Sequence, residues 1–353
     1  MKRFLLILAV FLSTLGWLRA SNEEVVISIM STTDIHGSIF PYDFSKGEQD
    51  PRSGLVKLAT LVKARRKLTP EALLIDVGDT FQGNPLVHFA NIDKSYKKHP
   101  MIRAMNAMDY DAFVPGNHDF DYGLSLLKHL EEQADFPFIA ANAVSTENKA
   151  LRWDPYLIKE VKGVRIGILG ITSPGIPKWI PKKYYKGLDF KASLDTAKKY
   201  VPILRGRESC DLIVVAFHGG PRNRHGKSNE GINNGYELAR SVEGIDLLLL
   251  GHTHQRVAFD VVEDALLMQA GSYSSALAEA RIRLKQGEGG FEVVSKTGRI
   301  IKNGAKIPKD EELDFLLQSY RQDTIDRLDS QLATMNKGVS LARAAYEDNP
   351  LMD

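Results

Sequence analysis

The chain has 353 residues, 43% of them apolar and 25% charged, which supports a sizeable globular core and exceeds one average domain. A formal net charge of +2 excludes the basic footprint of a nucleic-acid polymer binder, and Lys2, Arg3 and Arg19 alone account for more than that excess. Cys210 is the single cysteine, so no intramolecular disulfide can form, and its place before an apolar run reads as a small buried hydrophobe.

Residues 1–20 read as a secretory signal peptide. Lys2 and Arg3 form the positive end, Phe4 to Leu12 the apolar stretch, and Leu18-Arg19-Ala20 the cleavage site before Ser21. The competing reading is a retained membrane anchor, but the stretch is short for a span and Ser13, Thr14 and Gly16 interrupt it. A periplasmic or secreted protein with no stable membrane span after cleavage is the expectation.

Beyond the signal, apolar runs of strand length alternate with helical periodicity. Val25–Thr32, Leu73–Val77, Ala112–Pro115 and Phe138–Ala141 read as strands, with helices over Leu55–Lys67, Met101–Met108 and Leu124–Glu132 between them. The second half repeats the habit: strand Val164–Ile171, helix Ser193–Leu204, then strands Leu212–Phe217 and Ile245–Leu250. Such alternation predicts an α/β sandwich with its loops clustered at one edge. From Ala265 onward, Leu266–Gln269, Leu277–Leu284 and Phe291–Lys296 read as consecutive antiparallel strands of a second sheet, with Gly287, Gly289 and Gly290 at the last hairpin. A charged helix follows from Asp310 to about Leu332, with apolar residues at 313, 316, 317, 320 and 325.

Five polar clusters stand directly after apolar runs: Asp34-Ile35-His36, Gly78-Asp79, Gly116-Asn117-His118-Asp119, His218, and Gly251-His252-Thr253-His254. An open α/β sheet presents its chemistry at the carboxyl edge of its strands. Asp34 with His36, and His252 with His254, sit two apart, so on an extended segment each pair points one way. Carboxylate beside imidazole suits Zn, Mn or Fe better than Ca or Mg alone. Gly78 lets the chain turn so that Asp79 enters the cleft, where one carboxylate can bridge two cations. Asn117 offers a neutral amide oxygen, while His118 is left for the substrate, able to stabilise phosphoryl charge or protonate a leaving alkoxide. Asp119 or Asp121 would orient that ring and raise its pKa. Asp76, mid-strand, reads as structural. His88, His99 and His129 read as ordinary, partnerless histidines, His225 as part of a solvated loop, and Asn142 as a group able to hydrogen-bond near the cleft.

In this order the clusters resemble the calcineurin-like metallophosphoesterase superfamily, and within it the 5′-nucleotidase and 2′,3′-cyclic-nucleotide 2′-phosphodiesterase/3′-nucleotidase family. Thr32-Thr33-Asp34-Ile35-His36-Gly37, Gly54-Leu55-Val56-Lys57, Gly78 to Pro85 and Gly116 to Gly123 carry the likeness, which extends over about residues 25 to 353. It implies a four-layer α/β/β/α sandwich with mixed sheets and two divalent metal ions, Zn, Mn, Mg or Fe. One metal would be held by Asp34, His36, Asp79 and His254, the other by Asp79, Asn117, His218 and His252. His118 with Asp121 would be the catalytic dyad, with Asn117 and His118 also facing the substrate and Asp119 standing where the family often has Glu. The implied reaction is hydrolysis of a nucleotide or small phosphate ester by metal-activated hydroxide attacking phosphorus.

The same resemblance divides the chain into a signal peptide (1–20), a catalytic domain (21–305), a linker helix (306–332) and the opening of a truncated C-terminal substrate-binding domain (333–353). Family members use that second domain to stack nucleobases and bind phosphate. Two alternatives follow: a thiosulfohydrolase-like relative on the same scaffold, or a metal-binding fragment that is inactive without its C-terminal domain.

Overall fold

A computed structural model describes residues 24–93, 96–147, 151–222 and 231–330. The signal segment, His225 and the stretch from 331 to 353 lie outside the described residues. Among the described residues, no helix is long and apolar enough to cross a membrane.

Two mixed sheets face each other. The first has five strands in the order Gly290–Lys302, Ala276–Gly287, Glu24–Thr32, Leu73–Asp76, Ala112–Phe113. The second has six, in the order Arg256–Val262, Ala265–Ala270, Leu247–Leu250, Leu212–Phe217, Val164–Ile171, Tyr156–Val161. Strand Leu212–Phe217 is buried along its whole length and pairs in parallel on both sides, which explains why its sequence is uninterrupted apolar residues.

The period of two along each strand sorts these residues into layers. Val214 and Ala216 meet Ile29, Ile75 and Val77 between the sheets, whereas Ile213, Val215 and Phe217 point the other way, into a cluster with Val201, Leu204 and Leu238. On the far side of the first sheet, Met30, Leu74 and Phe113 pack under helices Leu55–Arg66, Pro100–Ala107 and Glu311–Asp329. The result is helix, sheet, sheet, helix, the four layers expected. Helix Glu311–Asp329 is capped by the Asp310 side chain, which accepts from Leu313 N–H at 3.0 Å, and buries Leu313, Leu317 and Tyr320 in that outer layer.

Two expectations are corrected. The run from Leu266 does not pair with the strands after it; Ala265–Ala270 lies parallel to Leu247–Leu250 in the second sheet, while Ala276–Gly287 and Gly290–Lys302 form the hairpin of the first. An apolar run carries no label for its partner, and here consecutive strands separate between sheets. Phe138–Ala141 makes only single parallel bridges, Phe138 to Phe113 and Ile139 to Asp154.

Candidate metal centre

The strands Glu24–Thr32, Leu73–Asp76 and Ala112–Phe113 of one sheet, and Leu212–Phe217 and Leu247–Leu250 of the other, end at one edge, where their loops interlock. Asp34 N–H donates to Gly78 O at 2.7 Å, and His36 N–H to Asp79 O at 2.9 Å. His218 reaches across from the second sheet, its Nδ1 2.6 Å from Val77 O. Gly116 exists for proximity: a Cβ there would lie 2.3 Å from Asp79 Oδ1 and 2.6 Å from His218 Cε1.

Two triads of donor atoms result. Asp34, His36 and His254 form one; Asp79, His218 and His252 form the other, with the donors of each within 4.8 Å of one another. In the first, His36 Nε2 and His254 Nε2 are 3.1 Å apart, and His254 Nε2 is 3.4 Å from Asp34 Oδ1. In the second, His218 Nε2 is 3.2 Å from both Asp79 Oδ2 and Asn117 Oδ1. Backbone carbonyls hold the outer nitrogens: His218 Nδ1 faces Val77 O, and His36 Nδ1 lies 3.0 Å from Gln82 O. Each ring thereby turns its Nε2 inward, the orientation in which an imidazole meets a metal.

Asp34, His36, Asp79, His252 and His254 all adopt left-handed backbone, with φ of 51°, 49°, 57°, 69° and 55°. Such conformations cost free energy in residues with a Cβ and persist where surrounding structure over-determines them, typically at functional sites. Five of them in two adjacent triads mark this edge as the place where fold stability has been given up for geometry.

The electrostatics of the second triad are dominated by the Asp79–His218 pair. Burial alone would push the Asp79 carboxyl up, but the His218 imidazole, with His36 and His118 behind it, holds it well below the usual carboxylate range. Burial works against the charged form of His218 too, yet Asp79 carries it up to about 10. Burial pushes His252 down to about 4, leaving its ring neutral and able to donate a lone pair.

His118 stands apart from both triads. Its Nδ1 lies 3.0 Å from Asp121 Oδ2, and that hydrogen bond raises its pKa above the ordinary histidine value. The ring is 42% exposed, so its other nitrogen is open to a ligand. Asp119 does something else. Its two oxygens accept four backbone N–H groups, from Asp79 (2.9 Å), Thr80 (2.8 Å), Phe81 (2.9 Å) and Gly116 (2.8 Å), which locks the two turns together. Of the two carboxylates able to orient His118, the one in contact is therefore Asp121. Asp76 is fully buried and accepts from Thr32 Oγ1 and Thr80 Oγ1, both at 2.6 Å, and from Gly78 N–H at 3.0 Å, so it braces the same turn from below.

A sequence profile for the calcineurin-like phosphoesterases matches residues 27–256. This chain belongs to the calcineurin-like phosphoesterase family. The match starts within the first strand and ends just past His254, so it contains both triads and the His118–Asp121 pair. Over 360 residues, the chain is 27% identical to the trifunctional nucleotide phosphoesterase protein YfkN of Bacillus subtilis, covering 94% of this chain and 24% of that protein. It is 32% identical over 257 residues to a 2′,3′-cyclic-nucleotide 2′-phosphodiesterase/3′-nucleotidase of Salmonella typhimurium, covering 70% of this chain and 39% of the relative. The chain thus spans less than half the length of either. The crystal structure of the calcineurin-like phosphoesterase YfkN superposes with a TM-score of 0.80 at 28% identity, covering 87% of this chain and all of that one.

Several sequence readings change in the fold. Asn142 bonds backbone only: its amide binds Thr172 O at 2.9 Å and Lys191 O at 3.1 Å, and it accepts Thr172 N–H at 2.9 Å, just beyond the strand whose Ile171 O accepts His218 N–H. His88, His99 and His129 have partners after all, in Tyr122, Asn91 and Gln133. Cys210 is buried as expected. Two aromatics at the centre escaped notice, Trp179 against His252 and Tyr273 against His36 and His254. No spacing rule flags a Trp in a four-residue helix or a Tyr after a strand.

Proposed function

We propose that this chain hydrolyses phosphate esters, nucleotides foremost, at a centre that takes two divalent cations. The observation that carries the reading is the pair of adjacent triads with the His118–Asp121 pair beside them. The donor set suits the ions. Imidazole and carboxylate are borderline and hard donors fit for Zn, Mn or Fe, and the outer-nitrogen hydrogen bonds fix the tautomers such ions need. His36 Nε2 and His254 Nε2, 3.1 Å apart, are also close enough to share one cation. Asp34, His36 and His254 would hold one ion and Asn117, His218 and His252 the other, with Asp79 common to both. When bound, such ions supply Lewis acidity toward water and phosphoryl oxygen.

The chain's own groups supply the rest. The His118 ring is fixed by Asp121, whose hydrogen bond favours its charged form, and would donate from its other nitrogen to a phosphoryl oxygen or to the departing alkoxide. Asn117 adds an oxygen donor without another negative charge, which keeps the site attractive to an anionic ester. The resemblance to nucleotide phosphoesterases supports nucleotides as the substrate class. The signal-like first twenty residues support export, to the periplasm or beyond the cell.

The test is hydrolysis of bis-p-nitrophenyl phosphate, 2′,3′-cyclic AMP and 5′-AMP by the purified chain, stripped of metal and reloaded with Mn²⁺ or Zn²⁺. Metal-restored turnover of any of the three supports phosphoester hydrolysis, and turnover of a nucleotide supports the substrate class. No turnover of any, with two equivalents of metal bound, overturns it.

A further inference from the structure

Strand Ala265–Ala270 is buried along its whole length and apolar but for one residue, the fully buried Gln269. Its backbone pairs with Leu250 on one side and with Val257 on the other. Those two residues flank the loop 251–256, which carries His252 and His254. Gln269 therefore sits at the mouth of that loop, between the end of one strand and the start of the next.

Its side chain holds the middle of the loop. Thr253 Oγ1 donates to Gln269 Oε1 at 3.0 Å. Thr253 separates two histidines in left-handed backbone, with φ of 69° and 55°. Its side chain also lies against Gly220, where a Cβ would meet Thr253 Cγ2 at 2.3 Å and Oγ1 at 2.8 Å. Gly220 stands two positions after His218, and Gly251 N–H donates to Gly219 O at 3.2 Å, so the loop packs on the His218 turn. Thr253 thus stands between one donor of each triad and touches the turn that bears a third.

The fold alone gives little reason for an amide here. Among the described residues its Nε2 has no hydrogen-bond partner, and a buried amide N–H left unpaired is destabilising. Met, of similar length and without a group that must be paired, would suit the same apolar setting. What Gln supplies and Met does not is the acceptor for Thr253.

We infer that Gln269 is a positioning residue for the metal centre: through Thr253 it fixes the spacing of His252 and His254, so that both ions are held at full affinity. The inference rests on the two-cation reading above and is independent of the substrate. Groups that orient metal-binding side chains change metal affinity by roughly 10- to 100-fold when removed. Because Thr253 lies between a ligand of one ion and a ligand of the other, the loss falls on both ions together.

The experiment titrates the metal-stripped chain with Zn²⁺ against a competing chromogenic chelator. It also records the visible spectrum of the Co²⁺-loaded protein and the urea unfolding of the metal-free protein. Gln269→Met is expected to weaken both ions by roughly 10- to 100-fold and to shift the Co²⁺ bands, while the metal-free chain unfolds at an equal or higher urea concentration. Thr253→Val should reproduce the loss, and Thr253→Ser, which keeps the hydroxyl, should retain most of the affinity. Gln269→Met combined with Thr253→Val should lose no more than either change alone. Native affinity in Gln269→Met, losses that add in the double variant, or a fall in metal-free stability alongside the loss of affinity overturns the inference. A native chain that takes up no metal would instead overturn the two-cation reading, and the role of Gln269 with it.

Discussion

One histidine joins the two halves of the site. The His118 side chain meets Asp121 Oδ2 at 3.0 Å through Nδ1, while its own backbone N–H donates to Asp79 Oδ1 at 2.7 Å. The ring that would handle the substrate is thus tied through one residue to the carboxylate that would be shared by both cations. Because the ring and the carboxylate are coupled by backbone, changing the ring alone leaves Asp79 in place.

His118→Asn should therefore bind two equivalents of metal yet lose about 10²- to 10⁴-fold in kcat. Asp121→Asn should lose less in rate but shift the pH profile. With the hydrogen bond to Asp121 raising the His118 pKa, the acid form persists further toward alkaline pH. Without it, the alkaline limb of kcat should move to lower pH. A profile that does not move would show that Asp121 leaves the ring's titration alone.

Asp79→Asn should remove the charge common to both ions. We expect metal content to fall below two per chain by elemental analysis, with activity lost and not restored by excess Mn²⁺. Two tightly held ions in this variant would place the shared ligand elsewhere.

Gly116→Ala puts a methyl 2.3 Å from Asp79 Oδ1 and 2.6 Å from His218 Cε1. Neither neighbour can withdraw without leaving its triad, so the variant should lose about 1–3 kcal/mol of stability in urea titrations. Its metal content should drop with it.

His99 offers a pH test outside the two triads. It is 4% exposed, and its Nδ1 accepts Met101 N–H at 3.3 Å, so only the neutral ring fits. Burial pushes its pKa down to about 3, against 6.5 for the free side chain. A depressed histidine is fully accommodated above pH 6.5, and its contribution is lost as pH falls toward 3. Between pH 6.5 and 5 this single group should cost about 2 kcal/mol. His99→Asn, which keeps an acceptor for the helix N-terminus, should flatten the fall in stability over that interval by about that amount; equal slopes in the two proteins would count against the buried neutral ring.

Much of this molecule is written locally. A strand's alternation is fixed by backbone geometry, so Leu212–Phe217 and Leu247–Leu250 are legible as buried strands, and residues just beyond such runs must arrive at the same edge of a sheet. That is why Asp34, His36, Asp79, Asn117, His118, His218, His252 and His254 are legible as one constellation although 219 positions of sequence lie between the first and the last. What a linear sequence cannot carry is the identity of a partner across space. Which sheet receives Ala265–Ala270 is decided by register and packing against Leu247–Leu250, not by its own residues. Asp119 and Asp121 are both carboxylates within three residues of His118. Only the fold sends one to four backbone N–H groups of two turns and the other to the imidazole. Left-handed backbone at five site residues, and the seats of Trp179 and Tyr273 beside them, are likewise tertiary decisions. Each is a local cost that a short peptide would shed, and it persists here because contacts distant in sequence outweigh it.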